Sequence, residues 1–367
     1  MGLNSIDLLQ RSSYSFDLPE ALIAAHPLSE RTDARLLVVH KKLQTIEHRH
    51  IRDLPNILPT RSVLVANNSK VFRARLKGTR VGSNGKVEFF SLKKVDACTW
   101  EGLMKSSAKI APGFQFQVGA DANPIFAEVL ARDETTAGTI ITARFSRDPV
   151  DEGVGQVPLP PYIVAKRIGE TETSSESEIK NYNTVFAKHE GSVAAPTAGR
   201  HFTEKLILEL KSKGIDWEEI TLHVGLGTFK PVTSDDLRQH QMHEEWSDIS
   251  EVVAKRITHA KSEGRPIISI GTTSTRTLEG RAFRGGQGNV LLPPGSEAID
   301  LFIHPASSHE WKLVDGILTN FHLPESTLFM MIATFLDDLD FLKSVYKTAI
   351  EEKYRFYSYG DAMLILP

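Results

Sequence analysis

From Thr203 to Leu366 the chain alternates helix-period segments with short runs rich in Val, Ile and Leu. No other feature limits the fold as much. Strand and helix in alternation imply an α/β domain with a largely parallel sheet and crossover helices. Thr203 can cap a helix through Leu206, Ile207 and Leu210, with Gly214 just past its end. The next strand puts Ile220, Leu222 and Val224 on one face and Thr221 and His223 on the other. Ser250 can cap a second helix ending near Gly264. Further strands are expected at 266–270, 299–303, 312–318 and 362–366, with an apolar helix at 326–335 and another at 341–354. In open α/β sheets, ligands bind beyond the carboxyl ends of the strands. Those ends carry His223 to Thr228, Gly271 to Ser274 with Arg276 just beyond, His304, and Asn320 with His322. Glycines, hydroxyls and histidines therefore converge where a cleft is expected.

The texture between Val71 and Asp148 differs. Short alternating segments are separated by turns such as Gly82-Ser83-Asn84-Gly85, with no helical stretch. Strands at such spacing suggest a small sandwich or barrel inserted into the larger domain. Arg167 to Lys180 is rich in Ser, Thr and Glu and reads as a mobile surface loop. The stretch 191–231 holds two small-residue loops, each with a histidine, His201 and His223. Small residues admit a ligand close to the backbone, and histidine titrates near neutral pH.

Bulk numbers exclude several classes. A net charge of −3 over 367 residues supplies no global field for a polyanion, so any nucleic acid must meet a local patch. One such patch exists. Seven Lys/Arg residues and no Asp or Glu lie between Arg61 and Val87, among them Lys70, Arg73, Arg75 and Lys77. The single cysteine, Cys98, allows no internal disulfide and no cysteine-based metal site. His240 and His243 can share a helical face, but nothing supports them as metal ligands, and no metal is expected. The N-terminus lacks a basic region followed by an apolar core, and the most apolar run, 323–336, is broken by Pro324 and Glu325. A cytoplasmic location and no membrane partner are the expectation. Walker, dinucleotide-binding and nucleophile-elbow motifs are all missing.

Eleven stretches carry a specific resemblance. They are FDLPEALIAAHPLSERTDARLLV (16–38), NNSKVFRARLKG (67–78), PLPPYI (158–163), YNTVFA (182–187), GSVAAPTAGRHFT (191–203), LHVGLGTFKPV (222–232), MHEEW (242–246), GTTSTRTLE (271–279), FIHP (302–305), VDGILTNFHLPESTL (314–328) and YRFYSYGDAMLIL (354–366). In this order they resemble the S-adenosylmethionine:tRNA ribosyltransferase-isomerase family of the queuosine pathway. The resemblance implies that S-adenosylmethionine is consumed as a ribosyl donor. The acceptor would be 7-aminomethyl-7-deazaguanine at the wobble position of a tRNA, and the products epoxyqueuosine-tRNA, adenine and methionine. It implies a large α/β domain with a mixed, largely parallel sheet, and an inserted small antiparallel β-barrel. On the sequence boundaries, 71–155 is the insertion, and 1–70 with 156–367 is the larger, discontinuous domain. No permanently bound cofactor and a monomer are expected.

That chemistry needs acid–base groups near neutral pH. His201, His223 and His322 are the catalytic candidates, with Asp248 or Glu244 to orient one of them. Thr197, Gly199, Gly225, Gly227, Thr228, Thr272, Thr273 and Asn320 are candidates for holding the substrate, and Arg276 for its carboxylate. Trp246 or Phe229 can face the sulfonium or stack on a purine. Lys70, Arg73, Arg75 and Lys77 are the tRNA candidates. Two other classes compete. An S-adenosylmethionine-dependent RNA methyltransferase would normally show a glycine-rich loop after its first strand, which is missing. A non-catalytic tRNA-binding protein would use the basic patch and be indifferent to changes at His223.

Overall fold

The computed structural model describes residues 7–120, 122–135, 138–169, 175–225 and 232–367. The chain opens with β1 (Arg35–His40), β2 (Thr45–His50), the short α1 (Leu54–Ile57), β3 (Val63–Asn67) and β4 (Ser69–Val71). Six strands follow: β5 (Arg75–Arg80), β6 (Lys86–Lys94), β7 (Thr99–Ser106), β8 (Gln115–Val118), β9 (Ile125–Thr135) and β10 (Gly138–Phe145). Then come α2 (Pro161–Lys166), α3 (Ser175–Tyr182), β11 (His189–Ser192), α4 (Glu204–Ser212), β12 (Asp216–Leu222) and β13 (Glu245–Ile249). The last part holds α5 (Glu251–Ser262), β14 (Ile267–Ile270), α6 (Gly271–Arg281), β15 (Phe283–Arg284), β16 (Val290–Leu291), β17 (Gly295–Ile299) and β18 (Gly316–Asn320). It ends with α7 (Thr327–Leu336), α8 (Leu339–Glu351) and β19 (Ala362–Leu366).

Among the described residues nine strands form one mixed sheet, in the order β17-β13-β12-β3-β14-β18-β19-β1-β2. Its centre, β12-β3-β14-β18, is parallel, and β13 and β17 extend one edge in antiparallel pairing. Strand period decides how it is covered. In β1, Leu36 and Val38 join the core shared with α1 and α4, while Leu37 and Val39 join the core shared with α5, α7 and α8. Every one of those four side chains is buried. A strand buried on both faces carries a continuous apolar run, as a sheet covered on two sides requires. Thr203, Ser250 and Ser326 each accept a backbone N–H at the first turn of α4, α5 and α7.

The strands from Arg75 to Phe145 close into an antiparallel barrel, in the order β10-β7-β6-β5-β8-β9. Phe89, Phe116 and Phe145 fill it with edge-to-face and stacked contacts. A side chain at Gly102 would strike the Phe89 ring, its Cβ 2.7 Å from Cζ, so the barrel interior needs glycine there.

Four expectations need correction. The strand expected at 312–318 is β18 at Gly316–Asn320, because the N–H groups of Lys312, Leu313 and Val314 donate to the Glu279 carboxylate instead of a ladder. The strand expected at 299–303 is β17 at Gly295–Ile299, and the chain leaves the sheet at Asp300. The apolar run beyond it is buried by side chains instead: Ile303 enters the main core and Phe302 packs between the rings of His240 and His304. The strand β13, pairing with both β12 and β17, was not expected. The loop expected at Arg167–Lys180 contains the start of α3. Glu176 and Glu178 favour a helix first turn, and Glu178 is also gripped by Arg167 at 2.8 Å with both side chains largely buried. Residues 170–174 of that segment lie outside the described residues.

Candidate functional site

Two cavities adjoin at the carboxyl ends of the central strands. The larger, about 720 Å³, lies between the barrel and the sheet. Phe72, Leu92, Trp100, Leu103 and Ile140 give it an apolar wall, with Lys93 and Lys94 among its lining. Glu190, Gly191, Val193, His223, Val224, Gly225, Glu244, Glu245 and Trp246 form the other wall. The smaller, about 340 Å³, is lined by Tyr162, Tyr182, Ala194 to Ala198, Gly271 to Thr273, Thr319 to Leu323, Tyr357 and Ser358, among others. Val224 lines both. Both volumes fall in the range of small-molecule sites.

His223 follows β12 and belongs to the larger cavity. Its backbone N–H donates to the Trp246 carbonyl at 2.9 Å, and its ring lies flat on the Trp246 indole, centroids 5.0 Å apart and planes 13° from parallel. Gly191 sits beneath the ring at φ +139°, where a Cβ would stand 2.9 Å from Cε1 of His223. Burial, and then the nearby His189, lower the His223 pKa. The imidazole is therefore neutral near pH 7 and available to take a proton, and its Nδ1 has no partner among the described residues. Gly191→Ala is expected to push the ring off the indole and reduce turnover roughly 10²-fold, as sub-ångström to ångström misplacement of a reacting group does. Unchanged turnover in this variant would mean that the stacked position does not matter.

Glu245 lies at the floor of the same cavity. Its carboxylate accepts from Gly225 N–H at 3.1 Å and from Arg276 Nη1 at 2.6 Å. Arg276 Nε donates to the Leu301 carbonyl at 3.2 Å. Arg276 thus already holds a carboxylate from the chain itself; only its buried Nη2 lacks a partner among the described residues.

A second group surrounds the smaller cavity. Thr197 donates to Asn320 Oδ1 at 3.0 Å, and Asn320 Nδ2 donates to His201 Nε2 at 3.2 Å. His322 Nε2 lies 3.0 Å from the Thr319 hydroxyl, and its backbone N–H donates to Tyr346. Burial pushes both histidines down to about 3; Arg200, Arg31 and Arg355 add to the effect at His201. Both rings are uncharged at neutral pH and serve as fixed hydrogen-bond partners.

The structure thus joins Thr197, His201 and Asn320 in one chain of hydrogen bonds, and lines one cavity with Thr197, Thr272, Thr273, Asn320 and His322. It puts His223 and Gly225 in the neighbouring cavity. His201, His223, Arg276 and His322 do not share a single pocket: His201 and Arg276 stand behind the walls, one against Asn320 and the other against Glu245. Asp248 orients none of the three histidines; it accepts from Ser296 at 2.6 Å on the sheet edge. Gly199 serves packing, since a Cβ there would meet the Phe186 ring at 2.7 Å. Gly227, Thr228 and Phe229 lie outside the described residues. Of the basic candidates, Lys70 pairs with Glu190, Arg75 with Glu88, and Arg73 donates to the Gly153 carbonyl, while Lys77 is exposed on the barrel. Sequence reading passed over Glu245 as a site residue and Tyr182 as a lining residue; the clue to Glu245 was its place next to Trp246.

Comparison with known proteins is consistent along the whole chain. Residues 11–365 match the family model described as queuosine biosynthesis protein. The chain is 43% identical over 362 residues to the S-adenosylmethionine:tRNA ribosyltransferase-isomerase of Caldanaerobacter subterraneus subsp. tengcongensis, covering 98% of this chain and 100% of that protein. It is 40% identical over 361 residues to the protein of the same name from Clostridioides difficile, covering 97% of this chain and 100% of the other. The crystal structure of S-adenosylmethionine tRNA ribosyltransferase from Thermotoga maritima resembles it with a TM-score of 0.52 at 31% identity, covering 98% of this chain and 100% of that one.

Proposed function

The chain belongs to the queuosine biosynthesis protein family, and from that premise we infer that it is an S-adenosylmethionine:tRNA ribosyltransferase-isomerase. It transfers and isomerises the ribosyl moiety of S-adenosylmethionine onto 7-aminomethyl-7-deazaguanine in tRNA, giving epoxyqueuosine-tRNA, adenine and methionine. S-adenosylmethionine is a consumed co-substrate, and no further cofactor takes part. The protein works as a monomer in the cytoplasm. No helix among the described residues is long and apolar enough to cross a membrane. Residues 71–155 act as an inserted domain and 1–70 with 156–367 as the larger one.

The observation that carries the site assignment is the pair of adjoining cavities sharing Val224, one small and mostly apolar, the other open between two lobes. The small cavity takes the nucleoside of S-adenosylmethionine, with Thr197, Thr272, Thr273 and Asn320 toward its polar atoms. The larger one takes the wobble base, splayed from its stack against the exposed indole of Trp246; single-stranded RNA bases are commonly read by such stacking. His223, at the boundary, acts as the base. A sulfonium acidifies the neighbouring 5′ carbon, so a neutral imidazole there is suited to removing its proton. His201 and His322 hold polar groups in place without changing charge. Lys70, Arg73, Arg75 and Lys77 face the RNA backbone from the barrel side, and Asp248 contributes only to the sheet edge.

The test is product analysis. Incubation with S-adenosylmethionine and the aminomethyl-deazaguanine tRNA is expected to release free adenine and methionine in equal amounts, read by chromatography. Neither an RNA methyltransferase nor a non-catalytic RNA binder releases adenine, and S-adenosylhomocysteine as product would overturn the assignment.

A further inference from the structure

We propose that the buried hydroxyl of Tyr182, with that of Thr273, hydrogen-bonds the nucleoside of S-adenosylmethionine in the smaller cavity; this rests on the function inferred above. Both residues line that cavity, and both hydroxyls are buried with no hydrogen-bond partner among the described residues. An unmet buried hydroxyl costs stability, and a ligand that meets it recovers that cost. Two around one cavity form a cost that a polar ligand offsets.

The neighbouring tyrosine supplies the contrast. Tyr162 lines the same cavity, but its hydroxyl donates to Ser358 Oγ at 2.5 Å and accepts from Ser358 N–H at 3.1 Å. The chain could therefore satisfy a tyrosine here, and at Tyr182 it does not. The Ala195 backbone N–H is directed at the Tyr182 oxygen, but the phenol proton has no acceptor among the described residues. Nor can the side chain swing out to water. The next residue, Asn183, clamps the backbone of Val71 from both sides, accepting from its N–H at 2.8 Å and donating to its carbonyl at 3.0 Å. The Tyr182 ring also packs edge-on to Tyr359 at 6.2 Å. Burial raises the phenol pKa well above its ordinary value, so the group stays a donor throughout the working pH range. Thr273, in the first turn of α6, needs only rotation about χ1 to present its hydroxyl.

Tyr182→Phe removes one oxygen and keeps the packing. The full chain should fold with a melting temperature equal to or above that of the parent, because an unsatisfied group has been deleted. Its affinity for S-adenosylmethionine, measured by calorimetric titration, should fall roughly tenfold or more, with Thr273→Val showing a loss in the same direction. Unchanged affinity in both variants overturns the proposal. A melting temperature lowered by several degrees in Tyr182→Phe also overturns it, because the hydroxyl would then have an internal partner. Adenine release by the parent protein separates the two levels. If the parent releases none, the function itself is wrong; if it does and Tyr182→Phe binds normally, only this inference falls.

Discussion

His223→Ala is expected to reduce turnover at least ~10²-fold while leaving the fold intact, the loss that removal of a general acid–base group brings. The ring is half-buried and held by a stack and by its backbone, so its removal chiefly forfeits the stacking on Trp246, about 1 kcal/mol. The pH profile carries the sharper signature. Burial and His189 set the His223 pKa below 6.5, so the base form dominates at neutral pH and is lost as pH falls through that lowered value. The parent enzyme should show an acid limb below 6.5, and the residual activity of His223→Ala should lack it. His201 and His322, held down to about 3, do not titrate in that window. An acid limb that persists in the variant, or turnover within a few-fold of the parent, removes His223 from the chemistry.

Arg276→Met is expected to be the most destabilising substitution near the site. The side chains of Arg276 and Glu245 are 5% and 3% exposed, and the guanidinium holds that carboxylate at 2.6 Å. Truncating one partner of a buried pair strands the other charge, at about 3–5 kcal/mol. Replacing both, Arg276→Met with Glu245→Leu, should recover most of that stability, since an apolar pair of similar volume avoids the desolvation of both ions. Activity should not return with stability. The double variant deprives the Gly225 amide of its acceptor, and Gly225 stands two residues from His223. Denaturant unfolding of the single and double variants, with turnover measured on each, reads both effects. A loss below about 1 kcal/mol in Arg276→Met, or full activity in the double variant, contradicts the role given to the pair.

The strand ends were legible because period and capping are local. Thr203, Ser250 and Ser326 mark helix starts by their side chains alone, and Val, Ile and Leu runs mark buried strands. The family-wide stretches added the closed barrel. What was not legible depended on contacts distant in sequence. Arg276 looked free for a ligand because Glu245, 31 residues earlier, lies in a stretch whose strand character is weak. Phe302 and Ile303 carry strand composition, yet side-chain packing rather than a ladder buries them. The acid–base candidacy of His201 and His322 rested on residue type. Their burial, which makes them neutral fixtures, comes from distant segments: Asn320 of β18 against His201, and Tyr346 of α8 against His322. The basic stretch 61–87 has no acidic residue within it, but the fold brings Glu88, Glu190 and Glu263 to three of its cations.

The most direct measurement is the mass of the tRNA nucleosides after incubation with this protein, S-adenosylmethionine and tRNA bearing the aminomethyl-deazaguanine base. The account predicts that the wobble nucleoside gains the mass of one transferred ribosyl unit, with adenine freed alongside it. A gain of a single methyl group, or no change in the RNA, would contradict it.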